Sequence, residues 1–355
     1  MKAVLIAVSA LLLGTLLLML GSGLQGTLIG IRGAIEAFSR VEIGLMMSAY
    51  YAGFAGACLF GGRIIERVGH IRTFAAFAST ASAAAIVHAA IVDPYSWIVL
   101  RALTGACFAV LYMVIESWLN GQVTNERRGT IMAIYMIVNL GGIAAAQQLL
   151  LLSDPGGFEL FVVSSVLVSL AVVPVALTTS VAPSPIPTER MAFGELVTVS
   201  PLGVVGALSI GLVNGATWGL APLAAINFGF ATPAVALLMS LIVLGGVVFQ
   251  WPVGWASDHL DRRTVIAAAT ALLLVLGVGA AIGPLLGAFA MRYLGDPGLF
   301  VFMGVIGLFF LGFALLRMRD KPPVPDDEQS RFEPVIPTPA STLLDPRVEP
   351  VEPEV

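Results

Sequence analysis

Ten long stretches of apolar residues alternate with short polar segments along the chain. They cover about 8–31, 42–61, 72–92, 95–118, 129–151, 158–180, 197–226, 232–255, 264–290 and 298–316. A helix of roughly 20 apolar residues matches the thickness of a bilayer. The runs are continuous rather than alternating, which excludes a membrane β-barrel, and only helices satisfy their own backbone groups in lipid. The pattern therefore predicts an all-α integral membrane protein with ten spans.

The composition agrees with this prediction. Hydrophobic residues make up 58% of the chain and charged residues only 11%, whereas soluble proteins carry roughly 25% charged residues. The first apolar run continues through Ile31 without a small-residue cleavage site, which favours a first span over a cleaved leader. The two cysteines, Cys58 and Cys107, lie inside apolar runs and indicate packing rather than a disulfide or a metal site.

Basic residues are distributed unevenly between the two sets of polar segments. Twelve of them lie in alternate segments, from Lys2 to Lys321, and three lie in the opposite set, namely Arg32, Arg40 and Arg292. The positive-inside rule therefore predicts that both termini are cytoplasmic. An even number of spans is consistent with that topology.

The polar segment 181–196 divides the chain into two unequal parts. Its three prolines and mixed charges predict a cytoplasmic linker between an N-terminal six-helix bundle (1–180) and a C-terminal bundle of four helices (197–317). Residues 318–355 carry nine prolines and nine acids without apolar periodicity, and they predict a disordered cytoplasmic tail.

Two polar segments in different parts of the chain share one pattern. Each has a glycine, an acid four residues later and basic residues just after the acid, and each is interpreted as a loop between two spans. Such an internal repeat is typical of transporters built from two similar halves. The candidate gating residues are Gly62, Glu66, Arg67, Gly69 and Arg72 in the first copy, and Gly254, Asp258, Arg262 and Arg263 in the second.

The repeated segment resembles the motif that the major facilitator superfamily has after its second helix and again after its eighth. Glu66 stands where the family usually has aspartate, and His259 and Asp261 depart from the pattern in the second copy. The fourth span has the family's Arg-x-x-x-Gly at Arg101–Gly105, and the stretch 112–120 (YMVIESWLN) is similar to the YcaD-like branch. The resemblance covers about residues 5–320. It implies the transport machinery and leaves the substrate open.

The number of helices departs from the family's pattern. Members usually have twelve helices, six in each half, whereas this chain has six plus four. Run 264–293 begins like the family's ninth helix and ends, at Gly279–Gly287, like its eleventh. The resemblance therefore implies a bundle of two pseudo-symmetric halves with about 10 transmembrane helices, lacking about one helical hairpin near Leu274–Gly279.

Two charged residues of the fourth span are candidate functional residues. A charge within a span costs at least about 2.5 kcal/mol, so Arg101 either contacts an anionic substrate or takes part in coupling, as the family motif suggests, or it snorkels to the headgroups. Glu116 lies about 22 Å further along the same helix. We interpret it as a gate residue near the cytoplasmic end, in preference to a proton carrier.

Polar and aromatic residues inside other spans are candidates for a central cavity. Amides in a span often hydrogen-bond between helices, so each of these residues either packs helices together or contacts substrate. As a set they predict a mildly polar cavity for a small amphipathic organic solute. The candidates are Gln25, Tyr50, Tyr51, Tyr112, Asn139, Gln147 and Gln148 in the first half, and Asn214, Trp218, Asn227 and Gln250 in the second.

The function predicted from these features is secondary active transport of a small organic solute or drug-like compound by alternating access, with proton coupling as a family expectation. The alternative is a transport-impaired paralogue or membrane sensor. An enzyme is not predicted, because the 3 histidines supply neither a nucleophile's base nor a metal site. Neither a cofactor nor a nucleic-acid partner is expected. Arginine outnumbers lysine 16 to 2, which suggests a bacterial chain, so we expect a monomer in the lipid of the inner membrane.

Overall fold

The structure, a computed structural model, describes residues 2–122, 125–178, 201–257, 279–280 and 282–320, and every regular element in this part is a helix. The predicted linker 181–196 and the predicted tail beyond residue 320 lie outside the described residues. The helices are α1 (Lys2–Ile35), α2 (Arg40–Cys58), α3 (Gly61–Val68), α4 (His70–Ala90), α5 (Pro94–Gln122), α6 (Asn125–Gln148, followed by a 3-10 turn at Leu149–Leu151), α7 (Glu159–Leu170), α8 (Val172–Ala176), α9 (Pro201–Asn227), α10 (Thr232–Ser257), α11 (Ile282–Leu294) and α12 (Gly298–Asp320).

The described helices confirm the prediction of an all-α membrane protein. Six of them are long and apolar enough to cross a bilayer, and a bent pair formed by α2 and α3 makes a seventh span if it is counted as one. Three shorter apolar stretches fall where the eighth to tenth spans are predicted. They are Thr232–Gly245 within α10, Ile282–Leu294 (α11) and Gly298–Phe313 within α12. The count of ten stays a prediction, because residues 258–278 lie outside the described part.

The first copy of the repeated polar segment is a helix and not the predicted loop. α3 is bent by 54° from α2 and ends at Gly69, whose φ of +89° favours glycine. Gly61 and Ile65, one turn apart, are buried, while the charged side chains between and after them are exposed. The loop prediction was wrong because this spacing gives the polar segment one inward face, which is sufficient for an amphipathic helix packed on the bundle.

Two ends of the bundle can be defined from the helix boundaries. We call one the Arg40 end, where α1 ends and α2 begins and where Asp93, Asp154 and Asp296 also lie. We call the other the Gly69 end, where α1 begins and α3 meets α4. Residues 2–178 are referred to as the N half and residues 201–320 as the C half.

Three apolar clusters form the core of the described part. One lies within the N half and reaches towards the Gly69 end, with Trp118 and Tyr135 among its largest buried side chains. The other two join residues of both halves, and they lie towards the Arg40 end, around Trp97 in one case and Ile43 in the other. The halves are therefore held together on one side of the bundle.

The segment 279–294 packs against α9 as α6 packs against α1. Side chains added at Gly279 or Gly283 would collide with the backbone of α9, at the carbonyls of Leu208 and Leu212, so the two helices touch directly. In the N half, Gly142 of α6 is similarly close to α1. This segment therefore packs directly on the first helix of its half, and its likeness to an eleventh helix stays a prediction.

Candidate functional site

Arg101 lies inside the bundle on α5, about 10 Å from the start of that helix. Only 5% of the residue is exposed. Its guanidinium carbon lies 4.2 Å from the centre of the Tyr50 ring, one terminal nitrogen lies 3.8 Å from the sulfur of Met47, and Nε has no hydrogen-bond partner. The alternative of snorkelling does not hold, because the charged group is buried against α2 and does not reach the surface.

No acid neutralises Arg101 among the residues that the structure describes. The two ion pairs found there are Arg32–Glu36 and Arg40–Asp296. A cation over an aromatic ring is worth about 0.5–2 kcal/mol, which is less than the cost of burying an unpaired charge in protein. The site therefore holds an uncompensated positive charge.

Close contact between α2 and α5 fixes the position of Arg101 relative to Tyr50. A side chain at Gly53 would collide with the carbonyl of Ala102, and one at Gly105 would collide with the carbonyl of Tyr50. These two glycines let the backbones of α2 and α5 touch within a turn of the guanidinium. The stacked pair is therefore held by main chain as well as by side chains.

Other polar groups are buried near the level of Arg101. Gln25 of α1 is 2% exposed, and its side-chain nitrogen has no hydrogen-bond partner. The Tyr50 hydroxyl lies close to Ser22, one turn from Gln25 on the same helix. His88 of α4 is fully buried, with Nδ1 2.7 Å from the carbonyl oxygen of Ala84 and with Nε2 unpartnered. The interior of the N half therefore has unused hydrogen-bonding capacity around the cation.

A second polar group lies between Arg101 and the Gly69 end. The Tyr135 hydroxyl donates to the carboxylate of Glu116 at 3.0 Å, and Asn139 lies close to both Tyr135 and Tyr112. The Tyr112 hydroxyl also lies 2.9 Å from the sulfur of Met19. Glu116 is thus connected to the interior of the N half through α6, and Arg101 and Glu116 lie on one continuous helix, as the sequence predicts.

The other predicted cavity residues have different surroundings. Gln147 is fully buried, accepts a hydrogen bond from Thr27 at 2.6 Å and donates to the carbonyl of Ile143, so it joins α1 to α6. Trp218 packs against the cluster around Trp97, which joins the halves. Asn214 is exposed one turn from Trp218 towards the Gly69 end. The structure places Asn214, but not Gln147, next to open space.

An ion pair joins the two halves at the Arg40 end. A terminal nitrogen of Arg40 donates to Asp296 at 2.9 Å and another donates to the carbonyl of Met291 at 3.2 Å, while the Asn227 amide also donates to Asp296 at 2.8 Å. A cavity of about 380 Å³ lies beside this pair, lined by Ser39, Arg40, Val41 and Arg292.

A buried hydrogen bond also crosses between the halves. Gln148 donates to the Ser240 hydroxyl at 2.9 Å, which in turn donates to the carbonyl of Ala144 at 3.1 Å. Sequence analysis missed both Asp296 and Ser240. Neither belongs to a motif, and only the meeting of the two halves reveals their role.

Glycines line the seam between the halves below the ion pair. A Cβ at Gly44 of α2 would lie 2.6 Å from Ala288 of α11, and a Cβ at Gly219 of α9 would lie 2.8 Å from Met47. Met47 therefore contacts Arg101 on one side and the C half on the other. The ion pair, the hydrogen bond of Ser240 and the close approaches at Gly44 and Gly219 lie towards the Arg40 end of the described part, and Met47 links Arg101 to them.

The motif residues at the Gly69 end are far from this seam. Glu66, Arg67 and Arg72 are exposed, and no ion pair of Glu66 is found in the part that the structure describes. Gly254 is in α10, whereas Asp258, Arg262 and Arg263 lie outside the described residues. Nor does the described part contain a group of three or more potential metal ligands.

Comparisons with known proteins agree with this architecture. A family model described as "Major Facilitator Superfamily" matches residues 11–279. A protein of Salmonella arizonae, "Uncharacterized MFS-type transporter YcaD", is 29% identical over 263 residues, which are 73% of this chain and 68% of that protein. The protein of the same name from Salmonella newport is 25% identical over 374 positions, covering 90% of this chain and 97% of its own.

Solved structures with a similar fold are also transporters. The nucleoside transporter NupG has a TM-score of 0.62 at 12% identity, covering 90% of this chain and 100% of that one. A bacterial homolog of the human lysosomal transporter Spinster, in an inward-facing and unoccupied conformation, has a TM-score of 0.58 at 13% identity, covering 85% and 80%. At these identities the likeness concerns the fold alone.

Proposed function

Because the chain belongs to the major facilitator superfamily, we propose that it is a secondary active transporter that moves a small organic solute or drug-like compound across the bacterial inner membrane. Transport would follow alternating access, in which two rigid bundles rock about a site near the midplane, with protons as the coupling ion. The bundles would be residues 1–180 and 197–317, joined by the linker 181–196 and followed by a disordered cytoplasmic tail (318–355), in a monomeric protein.

The observation that supports this proposal best is the one-sided contact between the halves. In the described part, they meet through Arg40, Asp296 and the seam at Gly44, all towards the Arg40 end. The excess of basic residues assigns the Gly69 end to the cytoplasm. With that orientation, closure at the Arg40 end supports an inward-facing state that is closed towards the outside.

The exposed motif charges fit the same interpretation. In an inward-facing state the cytoplasmic gate is open, which is consistent with the lack of an ion pair at Glu66 and Arg67 within the described residues. We propose that these residues, together with Asp258 and Glu116, hold the cytoplasmic end shut in the opposite state. Charge pairs of this kind bias a two-state equilibrium by about 1–3 kcal/mol, which is weak enough to be reversed in each cycle.

The length of the alignment bears on the missing hairpin. The match with the Salmonella newport protein extends over 374 positions, more than the 355 residues of this chain, so it includes gaps in this chain. We propose that the C half works with four spans, because the seam and the site at Arg101 are built from helices that are present.

The test is reversible locking of the seam in purified protein. A chain with Cys58→Ser and Cys107→Ala receives Gln148→Cys and Ser240→Cys, whose native side chains hydrogen-bond across the halves at 2.9 Å. A short bifunctional methanethiosulfonate joins the two thiols through disulfides that reduction breaks. Proteoliposomes are assayed, with and without an imposed proton gradient, for uptake of labelled carboxylic acids, amides, nucleosides, sugars and lipophilic drugs. We expect at least one solute to be transported, and we expect transport to stop on cross-linking and to return on reduction.

The controls are the two single-cysteine variants treated with the same cross-linker, which should keep transporting. A folded chain that moves none of these solutes would contradict the proposal and leave the transport-impaired alternative. Transport that continues in the cross-linked protein would contradict alternating access through this seam.

A further inference from the structure

We propose that the transported solute is an organic anion, and that Arg101, stacked over Tyr50, binds its carboxylate. The inference rests on the proposed transport function and narrows it to one class of substrate.

The first argument is the charge of the site. Arg101 is 95% buried as a residue, with 5% of its surface exposed, and its described neighbours are the ring of Tyr50 and the sulfur of Met47. Neither neighbour carries a negative charge, and no ion pair to Arg101 is found among the described residues. A guanidinium buried in this way needs a counter-charge, which a bound anion would supply.

The second argument is the hydrogen-bonding capacity left over. Nε of Arg101 and Nε2 of Gln25 are both buried without a partner. Buried donors are normally satisfied, and a carboxylate accepts several hydrogen bonds at once, including the paired bonds that a guanidinium donates. Gln25 and Arg101 lie about 15 Å and about 10 Å from the Arg40 end of their helices, so their main chains differ in depth by about 5 Å and an organic acid would have to bridge the two side chains.

The third argument is the route to the site. Met47 separates Arg101 from the C half, because it contacts the guanidinium and would meet a β-carbon at Gly219. Methionine is unbranched and flexible. A change in the side-chain conformation of Met47 would therefore expose the guanidinium of Arg101 to the space between the two halves. Tyr50, Tyr51 and Trp218 are partly exposed near this point. They offer aromatic surface to the body of an organic acid rather than to an inorganic ion.

The experiment uses pairs of ligands that differ in charge but not in size. Benzoate with benzamide, nicotinate with nicotinamide and indole-3-acetate with its amide are titrated against the full chain in detergent. Binding is followed by thermal stability and by tryptophan fluorescence, and counterflow is measured in proteoliposomes. We expect at least one acid to bind tenfold or more tightly than its amide.

Variants of Arg101 test whether that preference depends on this residue. Arg101→Gln should abolish the preference, Arg101→Lys should keep part of it, and Arg63→Gln, which removes an exposed arginine, should leave it unchanged. If Arg101→Gln does not fold, Gln25→Leu serves instead, and it should weaken the binding of the acid without affecting the amide.

Three results would overturn the inference. In the first, wild-type protein binds and transports the amides as well as the acids. In the second, Arg101→Gln, folded, keeps the preference for the acid. In both cases transport itself stands and only the substrate class is wrong. In the third, wild-type protein transports no solute from the wider panel, and then the proposed function fails together with the inference.

Discussion

Arg40 and Asp296, 256 positions apart in the chain, join the two halves through a hydrogen-bonded ion pair of 2.9 Å. Their side chains are 37% and 21% exposed, so water screens the attraction and the pair contributes about 0–1 kcal/mol. An ion pair of this strength favours one of two conformations and is weak enough to be broken in each cycle. We expect this pair and the seam at Gly44 to form the closed side of a molecule that has two conformations.

Removing the ion pair should open the Arg40 end. Ile43 is fully buried in the cluster that joins the halves, so Ile43→Cys in a chain without other cysteines reports opening by its reaction with a membrane-impermeant maleimide. We expect Arg40→Ala to raise the labelling rate up to about fivefold, the equivalent of 1 kcal/mol.

The control for that change is Glu36→Gln. It removes an acid from the Arg32–Glu36 pair, which lies at the end of α1 in the N half and does not join the halves. Labelling should not change in this variant, and exchange of the two charges (Arg40→Asp with Asp296→Arg) should restore slow labelling. Equal labelling of Arg40→Ala and wild type would exclude this pair as part of the gate.

Bulk added at Gly44 should hold the seam apart without unfolding either half. The β-carbon of Gly44→Val would come within 2.6 Å of Ala288, so the closed state becomes crowded while the contacts within each half remain. We expect fast labelling of Ile43→Cys and a melting temperature close to that of the wild type.

Gly105→Val is the comparison variant. Gly105 faces the Tyr50 carbonyl, so bulk added there disturbs packing within the N half and not between the halves. Overpacking against backbone costs about 1–3 kcal/mol, so this variant should melt at a lower temperature. If Gly44→Val lowers the melting temperature as much as Gly105→Val does, the seam is part of the folding core and not a moving interface.

Neutralising Glu66 should shift the equilibrium in the opposite direction. Glu66 is exposed and has no ion pair within the described residues, so Glu66→Gln removes little from the state seen here. In the proposed outward-facing state it would lie against a helix end or an arginine, worth about 0.3–1 kcal/mol. Labelling of Ile43→Cys should therefore become up to about fivefold slower, and faster labelling would contradict a gating role for Glu66.

The bond between Tyr135 and Glu116 should stabilise the N half. Tyr135→Phe removes the donated hydrogen bond of 3.0 Å and should cost about 1 kcal/mol of unfolding free energy. Glu116→Gln keeps an acceptor oxygen and should cost less, whereas Glu116→Leu should cost as much as Tyr135→Phe. A double-mutant cycle of Tyr135→Phe with Glu116→Leu checks the coupling. Additive effects would mean that the two side chains act independently.

The helical membrane fold was predictable because apolar runs of bilayer length have few other solutions. Arg101 was identifiable for a related reason, since a charge inside an apolar run stands out in the sequence. Its stacking on Tyr50 was not predictable, because that contact depends on where α2 crosses α5 and on two glycines that let the backbones touch.

Contacts between the halves could not be predicted from one sequence. Asp296 and Ser240 occupy positions without any periodic pattern, and their partners are distant in the chain. Gln147 was predicted as either a packing or a substrate residue. Its hydrogen bonds to α1 and within α6 support the packing role, since they use its side chain inside one half.

The backbone contact at Gly53 and Gly105 also limits how the site can change during a cycle. Two helices that touch main chain to main chain cannot slide past each other there, so Tyr50 and Arg101 must travel as a single block. A solute bound to Tyr50 and Arg101 would then be released when the C half moves away, and not when the N half changes its conformation. The N half would behave as a fixed cradle, and the affinity for the solute on the two sides of the membrane would be set by what the C half adds or removes.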